Sequence, residues 1–251
     1  MHLLKIVVFS AVLITLINNF TNFNSLNHTS LLTKEKQEIP WDHLNNAWRL
    51  QVIREIQRDH LTQKMGIDKD LATTIVKLVA REASKYGLST NRILALIIIE
   101  SWGDPKVISY AGAIGLMQVL PRTGRFIAQE IGQNWKGPSS LKNAETNIIF
   151  GVWYYQYLLN YFKENEHAAL AAYNWGPENI RLRIRYNQKL PQVYPGKVYI
   201  AEKQLERKLW NEYKLRYWRG IDSFIHRTRQ CHYSSRSTSG YSLTQCLEFD
   251  V

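Results

Sequence analysis

The sequence predicts a mainly α-helical domain. Apolar side chains recur every three or four residues along several segments, as on the buried face of a helix, and no segment of convincing length alternates apolar and polar residues as a strand does. The chain has 251 residues, of which 45% are hydrophobic and 21% are charged. It is therefore long enough to bury the core of one medium-sized domain with extensions.

The helical pattern and its stop signals predict six helices. Residues 71–83 carry an apolar stripe on one face, and Gly87 stands where a C-terminal cap belongs. Ser89 can then cap the helix that contains Ile93–Glu100, which is apolar on all sides and is expected in the middle of the domain. The predicted helices cover residues 45–59, 71–83, 89–100, 143–161 and 166–173, and a long amphipathic helix begins at Tyr199.

Glu100 closes a run of seven apolar residues, Ile93–Ile99. A carboxyl group at the edge of a core loses hydration, which disfavours its ionised form and raises its pKa. A general acid that works at neutral pH needs such a raised pKa. A Glu at a helix end is more often an exposed cap or an ion-pair partner, so the residues that follow Glu100 decide between these roles.

The segment after Glu100 is suited to fold back over its carboxyl group. A glycine and an Asp-Pro pair, residues 103–105, end the helix, because proline cannot continue the backbone hydrogen bonds and restricts the residue before it. Gly112 and Gly115 permit tight turns and a close approach of backbone to a ligand. The loop then presents Gln118, whose amide has both donor and acceptor atoms.

Three short motifs resemble those of the soluble-type (SLT) lytic transglycosylases, a family of the lysozyme-like superfamily. They are Glu100-Ser101, Gly115-Leu116-Met117-Gln118 and Ala172-Tyr173-Asn174, and they occur in the order of that family and at plausible separations. The resemblance extends from about residue 71 to about residue 199. It implies a lysozyme-like helical domain with a saccharide-binding groove.

The resemblance implies a role for each matching residue. Glu100 is the expected catalytic residue, and the expected substrate-binding residues are Gln118, Leu120, Tyr173, Ser101, Asn174 and Tyr199. Other roles remain open at three of them: Gln118 can stabilise its own loop, Tyr173 can be a core aromatic residue, and Ser101 can be a cap. Family members usually carry a Glu-Thr pair shortly before the tyrosine matched to Tyr199, and residues 194–198 lack it. A distal contact with the glycan is therefore in doubt.

The resemblance also accounts for a missing second carboxylate. Most glycosidases use two carboxyl groups, but the nearest candidate in the sequence, Asp104, lies between Gly103 and Pro105, which favour a turn. Lytic transglycosylases use one Glu as acid and then as base, while the substrate's N-acetyl group supports the positive charge and its C6 hydroxyl closes a 1,6-anhydro ring.

The expected function is therefore cleavage of the β-1,4 bond between N-acetylmuramic acid and N-acetylglucosamine in peptidoglycan. A hydrolytic lysozyme on the same fold is the nearer alternative. A non-catalytic glycan-binding factor of an envelope-spanning machine is the alternative from another class.

The N-terminal residues predict export. Residues 1–17 hold Lys5 and then an apolar run that fits a signal peptide and is short for a membrane span. No clear cleavage site follows, so a retained anchor in the inner membrane is the alternative. The expected location is the periplasm or cell envelope. The expected divisions are 1–20 as signal peptide or anchor, 21–65 as linker and N-terminal helix, 66–204 as catalytic domain, and 205–251 as basic C-terminal extension.

The net charge of +11 is unevenly distributed. Residues 181–230 contain 13 Lys and Arg residues but only 4 Asp and Glu residues. Basic character favours anionic partners. Besides peptidoglycan strands, the expected partners are an anionic membrane surface or a secretion-apparatus protein, with a solvated helix face as the alternative. Nucleic acid is not expected, because no binding motif for it is present and export argues against it.

No cofactor is expected. The seven histidines show no metal-ligand spacing, and the sequence has no glycine-rich phosphate-binding loop. Cys231 and Cys246 both lie in the C-terminal tail. In an oxidising compartment they can close a loop of about 15 residues, worth up to roughly 3 kcal/mol. Two free thiols are the alternative.

Overall fold

Helices form the regular structure of the part of the chain that is described. The structure is a computed structural model that describes the backbone of residues 46–237 and the side chains of residues 49–216. Within these residues the helices are α1 (Asn46–Met65), α2 (Lys69–Lys85), α3 (Thr90–Ser101), α4 (Pro121–Glu130), a 3-10 helix (Pro138–Lys142), α5 (Ala144–Tyr161), α6 (Glu166–Trp175), α7 (Pro177–Arg185) and α8 (Val193–Ser237).

The prediction of a mainly α-helical fold is confirmed, and the differences lie at prolines and helix ends. The sequence pattern predicts neither α4 nor α7, each of which begins with a proline. Proline is tolerated there because the N–H groups of the first turn have no partner within the helix. For the same reason the predicted start of α8 at Tyr199 is wrong: the helix begins at Val193 and includes Pro195 in its first turn.

α3 lies at the centre of the fold. Its residues Ile93–Ile98 are between 0% and 2% exposed, and the helix packs against α2 and α8. The Ser89 hydroxyl accepts a hydrogen bond from the Arg92 amide at 3.2 Å, as expected for its N-cap. Full burial of an Ile or Leu side chain stabilises a fold by roughly 1.5–3 kcal/mol. The apolar residues of α3 thus fix the helix whose last turn carries Glu100.

A buried amide of α5 holds the loop between α3 and α4. Asn147 is fully buried, and its Oδ1 accepts a hydrogen bond from the Met117 amide at 2.7 Å. Its Nδ2 donates to the carbonyl oxygens of Ile114, at 2.8 Å, and Leu141, at 2.7 Å. All three partners are backbone groups, so one side chain fixes the path of a segment that has little secondary structure of its own.

Parts of the sequence predictions lie outside the described residues. These are the signal peptide or anchor, most of the linker, Cys246 and the side chain of Cys231. Among residues 46–237, no helix combines the length and the hydropathy that a membrane span requires. α8 runs without a break across residues 204 and 205, and the predicted domain boundaries stay predictions.

Gly151→Ala is expected to destabilise the protein by about 1–3 kcal/mol, because a Cβ atom there would lie 2.5 Å from the Cβ of Met117. The matched control is Gly196→Ala in α8, where no atom lies within 4 Å of an added Cβ. There alanine is expected to stabilise by about 0.5–1 kcal/mol through its helix propensity. Urea unfolding measures both changes, and a stabilised Gly151→Ala variant would contradict the tight contact between α5 and the loop.

Candidate active site

Glu100 lies in the last turn of α3, where the chain turns sharply away. Trp102 ends the helix in a left-handed conformation (φ 53°), and Gly103 follows with φ 79°. A side chain at Gly103 would collide with Met65, because its Cβ would lie 2.9 Å from the Met65 Cε. This turn leaves the Glu100 carboxyl group at the end of a buried helix, facing a pocket.

The pocket has a volume of about 640 Å³ and lies between the end of α3, the end of α6 and the start of α8. Its lining joins Glu100 to residues far away in the sequence. The lining residues are Ile99, Glu100, Asn174, Trp175, Arg183, Lys189, Leu190, Pro191, Gln192, Val193, Tyr194 and Lys197. Its size lies in the range of small-molecule and saccharide sites in proteins.

Burial raises the pKa of Glu100 from 4.5 to about 7, and the hydrogen bond from Tyr194 opposes this rise. The Tyr194 hydroxyl donates that bond to Glu100 Oε1. The bond favours the ionised form, whereas loss of hydration favours the protonated form. Desolvation is the larger effect, so a large fraction of Glu100 carries its proton at neutral pH. This is the property that a general acid requires.

Tyr194 is the functional residue that the sequence analysis missed. Its side chain is only 8% exposed, and burial together with the charge of Glu100 raises its pKa well above the usual value. It therefore stays protonated and can only donate to the carboxylate. The motif match favoured Tyr199 instead, five residues further along α8. Five residues turn a helix by about 140°, so the two tyrosines cannot face the same site.

The structure does not bring Tyr199 into the pocket lining. Its ring lies under the guanidinium of Arg92, 5.0 Å from ring centre to Cζ, near the opposite end of α3 from Glu100. The predicted substrate contact at Tyr199 therefore has no support in this geometry. Tyr194 instead lies in the first turn of α8, directly after the pocket-lining residues 189–193.

Tyr173 lies close to Glu100 but points its hydroxyl at the loop. The hydroxyl donates to the carbonyl oxygen of Met117 at 2.8 Å. Its pKa is raised well above the usual value, first by burial and then by the negative charge of Glu100. The ring also contacts those of Tyr154 and Tyr155. Tyr173 thus joins α6 to the loop beside the carboxyl group.

Ser101 and Gln118 make the hydrogen bonds that stabilise the loop. The Ser101 hydroxyl, buried at 9% exposure, donates to the Leu116 carbonyl oxygen at 2.8 Å and accepts from the Gly103 amide at 3.1 Å. Gln118 has φ 48°, and its Nε2 donates to the Gly115 carbonyl oxygen at 3.0 Å. These contacts favour the cap and loop-stabilising roles that the sequence left open.

The remaining predicted contacts divide into one inside the pocket lining and one outside it. Asn174 is exposed and lines the pocket with Glu100. Leu120 is 39% exposed at the start of α4 and is not part of that lining. Asp104 accepts a hydrogen bond from the Lys106 amide at 2.7 Å, which is the turn role that its neighbours predict.

Three positively charged residues belong to the lining of the pocket. Arg183, Lys189 and Lys197 belong to the lining, in which Glu100 is the one carboxyl group. The Arg183 guanidinium lies 5.0 Å from the ring centre of Trp175, and its Nη1 donates to the Lys189 carbonyl oxygen at 2.9 Å. Among the described residues, no group of three or more His, Cys, Asp or Glu side chains is arranged to hold a metal ion.

Residues 77–193 match the family model of the transglycosylase SLT domain. This part of the chain is therefore similar to an SLT-type transglycosylase domain. The matched segment contains Glu100, the loop that Asn147 holds and Tyr173, and it ends one residue before Tyr194.

Curated relatives of the SLT domain carry lytic transglycosylase names. The chain is 32% identical over 142 residues to the soluble lytic murein transglycosylase of Salmonella typhimurium, covering 56% of this chain and 18% of that protein. It is 32% identical over 168 residues to the membrane-bound lytic murein transglycosylase C of Haemophilus influenzae, covering 58% of this chain and 46% of that one. The chain thus spans less than half the length of these relatives.

Solved structures of larger transglycosylases also align with the chain. The 70-kDa soluble lytic transglycosylase of Escherichia coli aligns with a TM-score of 0.45 and 23% identity, over 67% of this chain and 30% of that one. The inactive mutant of the lytic transglycosylase Slt of Pseudomonas aeruginosa aligns with a TM-score of 0.44 and 22% identity, over 69% of this chain and 32% of that one.

Tyr194→Phe is expected to raise the pKa of Glu100 by about 1 unit above its present value, because the ionised carboxyl group loses its hydrogen-bond donor. Carbon NMR titration of the Glu100 carboxyl group, assigned with a Glu100→Gln sample, measures the shift. Tyr173→Phe is the matched control: it removes a neighbouring buried hydroxyl that donates to Met117 and not to Glu100. Equal shifts in the two variants would contradict the assignment of the hydrogen bond.

Proposed function

We propose that this protein is a peptidoglycan lytic transglycosylase. It cleaves the β-1,4 bond between N-acetylmuramic acid and N-acetylglucosamine and leaves 1,6-anhydromuramyl ends. The observation that carries the proposal is the single carboxyl group of the pocket, Glu100, whose pKa burial raises to about 7. The SLT domain match and the names of the curated relatives support the same reaction.

In the first step Glu100 acts as the acid. Its protonated carboxyl group donates the proton to the glycosidic oxygen, and the bond from C1 of the muramyl residue to that oxygen breaks, with the electron pair leaving on the oxygen. The carbonyl oxygen of the neighbouring N-acetyl group stabilises the positive charge at C1. Glu100 is now ionised, and the hydroxyl of Tyr194 stabilises it by donating to Oε1.

In the second step Glu100 acts as the base. Its carboxylate accepts the proton of the C6 hydroxyl, while the C6 oxygen forms a bond to C1 and closes the 1,6-anhydro ring. The proton given away in the first step is thereby recovered and no water is consumed. One group performs both transfers because the second reverses the first.

The presence of one carboxyl group with a raised pKa in the pocket lining favours this reaction over the two alternatives, hydrolysis and non-catalytic glycan binding. Hydrolysis by an inverting or retaining route uses a second carboxyl group for water or for the sugar, and the pocket lining offers Glu100 alone. A non-catalytic glycan-binding factor has no need of a buried carboxyl group with a raised pKa, which lowers the stability of the fold at neutral pH.

Glu100→Gln is expected to reduce glycan cleavage by at least about 10²-fold to 10⁴-fold, the usual effect of losing a general acid. Purified sacculi are digested with each protein, and the products are analysed by mass spectrometry for 1,6-anhydromuramyl ends. Reducing-end products from the wild-type protein would overturn the transglycosylase reaction in favour of hydrolysis. Unchanged cleavage by Glu100→Gln would overturn the role of Glu100.

The same variant is expected to be more stable than the wild type at pH 8. The pKa of Glu100 is raised on folding, so its stabilising contribution is fully present below about pH 4.5 and is lost as the pH rises through about 7. A neutral Gln avoids this loss, which amounts to about 3 kcal/mol at pH 8. Urea unfolding at pH 4 and pH 8 measures the difference, and equal stability of both proteins at pH 8 would contradict the burial of an ionisable group.

The cations of the pocket lining support a substrate that carries negative charge. The glycan backbone is uncharged, whereas the peptide stems of peptidoglycan carry carboxylates. We therefore assign Lys189, Lys197 and Arg183 to contacts with these stems. An anionic membrane surface and a secretion-apparatus protein stay proposals for the rest of the basic segment, and the proposed location is the cell envelope.

Lys189→Gln/Lys197→Gln is expected to raise KM for peptide-bearing sacculi by about two- to tenfold, the combined effect of two exposed charge contacts. KM for glycan strands stripped of their peptides by an amidase is expected to stay the same. Lys136→Gln, an exposed lysine outside the pocket lining, is the control. The effect is expected to shrink at high salt, because exposed charges are screened. An equal change in KM on both substrates would exclude a contact with the stems.

A further inference from the structure

Two side-chain contacts join α3 to α8, and they are separated by the same number of residues on both helices. Tyr194 of α8 donates to Glu100 at the end of α3, and Glu202 of α8 pairs with Arg92 at the start of α3. Arg92 precedes Glu100 by eight residues, and Glu202 follows Tyr194 by eight residues. The helices therefore run antiparallel, and the two contacts lie about 12 Å apart along both of them.

The contact between Arg92 and Glu202 is buried and has several hydrogen bonds. Arg92 is 8% exposed and Glu202 is 5% exposed. The Arg92 Nε donates to Glu202 Oε2 at 2.8 Å, and the Arg92 Nη2 lies 2.7 Å from the same oxygen. The Ser89 hydroxyl, which caps α3, donates to Glu202 Oε1 at 3.3 Å. Both carboxylate oxygens of Glu202 are thus bound to the N-terminal end of α3.

Arg92 also binds the other helices around α3. Its Nη1 donates to the Tyr155 hydroxyl at 3.0 Å, its Nη2 donates to Glu166 at 3.3 Å, and its guanidinium lies over the ring of Tyr199. Glu202 has the narrower role, because its hydrogen bonds go only to residues at the start of α3. Within this network Glu202 is therefore the residue that fixes α8 on α3.

We propose that Arg92 and Glu202 are positioning residues that set the register of α8 on α3 and thereby keep Tyr194 hydrogen-bonded to Glu100. A shift of α8 by one residue moves its side chains by about 1.5 Å and rotates them by about 100°. Such a shift would separate the buried carboxylate of Glu202 from Ser89 and Arg92, and a buried charge without partners is strongly unfavourable. The buried pair thus excludes the neighbouring registers, and Tyr194 is held where a hydroxyl can reach Oε1.

Electrostatics alone makes the opposite prediction, which allows a clean test. The titratable and charged groups near Glu100 are the hydroxyl of Tyr194 from α8, Tyr173 from α6, and the cations of the pocket lining, Arg183, Lys189 and Lys197. Removing the negative charge of Glu202 would by Coulomb's law slightly lower the pKa of Glu100. Loosening the hydrogen bond from Tyr194 would raise it, because the ionised form loses a donor. The sign of the change therefore distinguishes positioning from a direct charge effect.

The test is a carbon NMR titration of the Glu100 carboxyl group in the Glu202→Gln variant of the full chain. We expect the titration midpoint to rise by about 0.5–1 pH unit, in the direction expected for Tyr194→Phe. In a Tyr194→Phe background, Glu202→Gln is expected to add no further rise. A midpoint that stays unchanged or falls would overturn the proposal.

Glu82→Gln is the matched control. Glu82 is 1% exposed on α2 and pairs with Arg81 and Lys85, so its loss also removes a buried charge partner, but both of these partners belong to α2 and neither to α3 nor to α8. It is expected to lower the thermal midpoint without moving the titration of Glu100. A rise of the Glu100 midpoint in Glu82→Gln as large as that in Glu202→Gln would show a general effect of destabilisation and would overturn the proposal.

If Glu202→Gln does not fold, the titration of Glu100 is measured in the Arg92→Lys variant instead. A lysine keeps the charge but cannot reproduce the forked hydrogen bonds, so the Glu100 midpoint is again expected to rise. The inference rests on the proposed function only for the catalytic meaning of Glu100, since the titration requires no substrate. If the midpoint rises but the wild-type protein does not cleave sacculi, the positioning pair stands and the proposed function fails.

Discussion

The burial of one carboxyl group between α3 and α8 is the constraint on which the site depends. α3 is held by its own apolar side chains, so its last turn is a rigid place for an ionisable group. Burial raises the pKa of Glu100, and Tyr194 limits the rise. Both effects require that the first turn of α8 lie against the last turn of α3. Helix packing thus determines the acidity of the group, and the chemistry of the pocket follows from the packing.

The loop between α3 and α4 is linked to the site through Ser101 and Tyr173. It has only isolated bridges of its own, so side chains supply its order. Asn147 binds its backbone from α5, Tyr173 binds it from α6, and Ser101 binds it from the end of α3. The path of the loop is thereby fixed by three side chains, one of which, Ser101, directly follows Glu100. This explains why motif residues that resemble substrate contacts are found in hydrogen bonds to backbone.

The sequence predicts the parts of this arrangement that depend on local pattern. The apolar helix, its Ser89 cap, the burial of Glu100 and the helical fold all follow from residues close together in the chain. Tyr194 could not be predicted in this way, because its partner lies 94 residues earlier and the choice between Tyr194 and Tyr199 depends on how α8 rotates against α3. The role of Asn147 could not be predicted for a related reason. No local sequence pattern indicates that an asparagine inside a helix binds three backbone groups elsewhere in the fold. Helices α4 and α7 were not predicted because proline can begin a helix as well as end one.

In the proposed reaction Glu100 gives a proton and then recovers it. It must therefore hold its proton at neutral pH and still be stable once it is ionised. Burial alone would keep Glu100 protonated at neutral pH. It would, however, leave the carboxylate formed by the first proton transfer without a hydrogen-bond donor. A strong cation beside it would stabilise that form but would remove the proton at neutral pH. A neutral phenol donor meets both demands, because it stabilises the carboxylate without contributing a charge. The positive side chains of the pocket lining are not among the groups that shift the pKa of Glu100, which are its burial and Tyr194. In the proposed reaction, a neutral donor bound to the carboxyl group thus lets one residue act in both steps, and the cations of the lining offer positive charge to an anionic substrate.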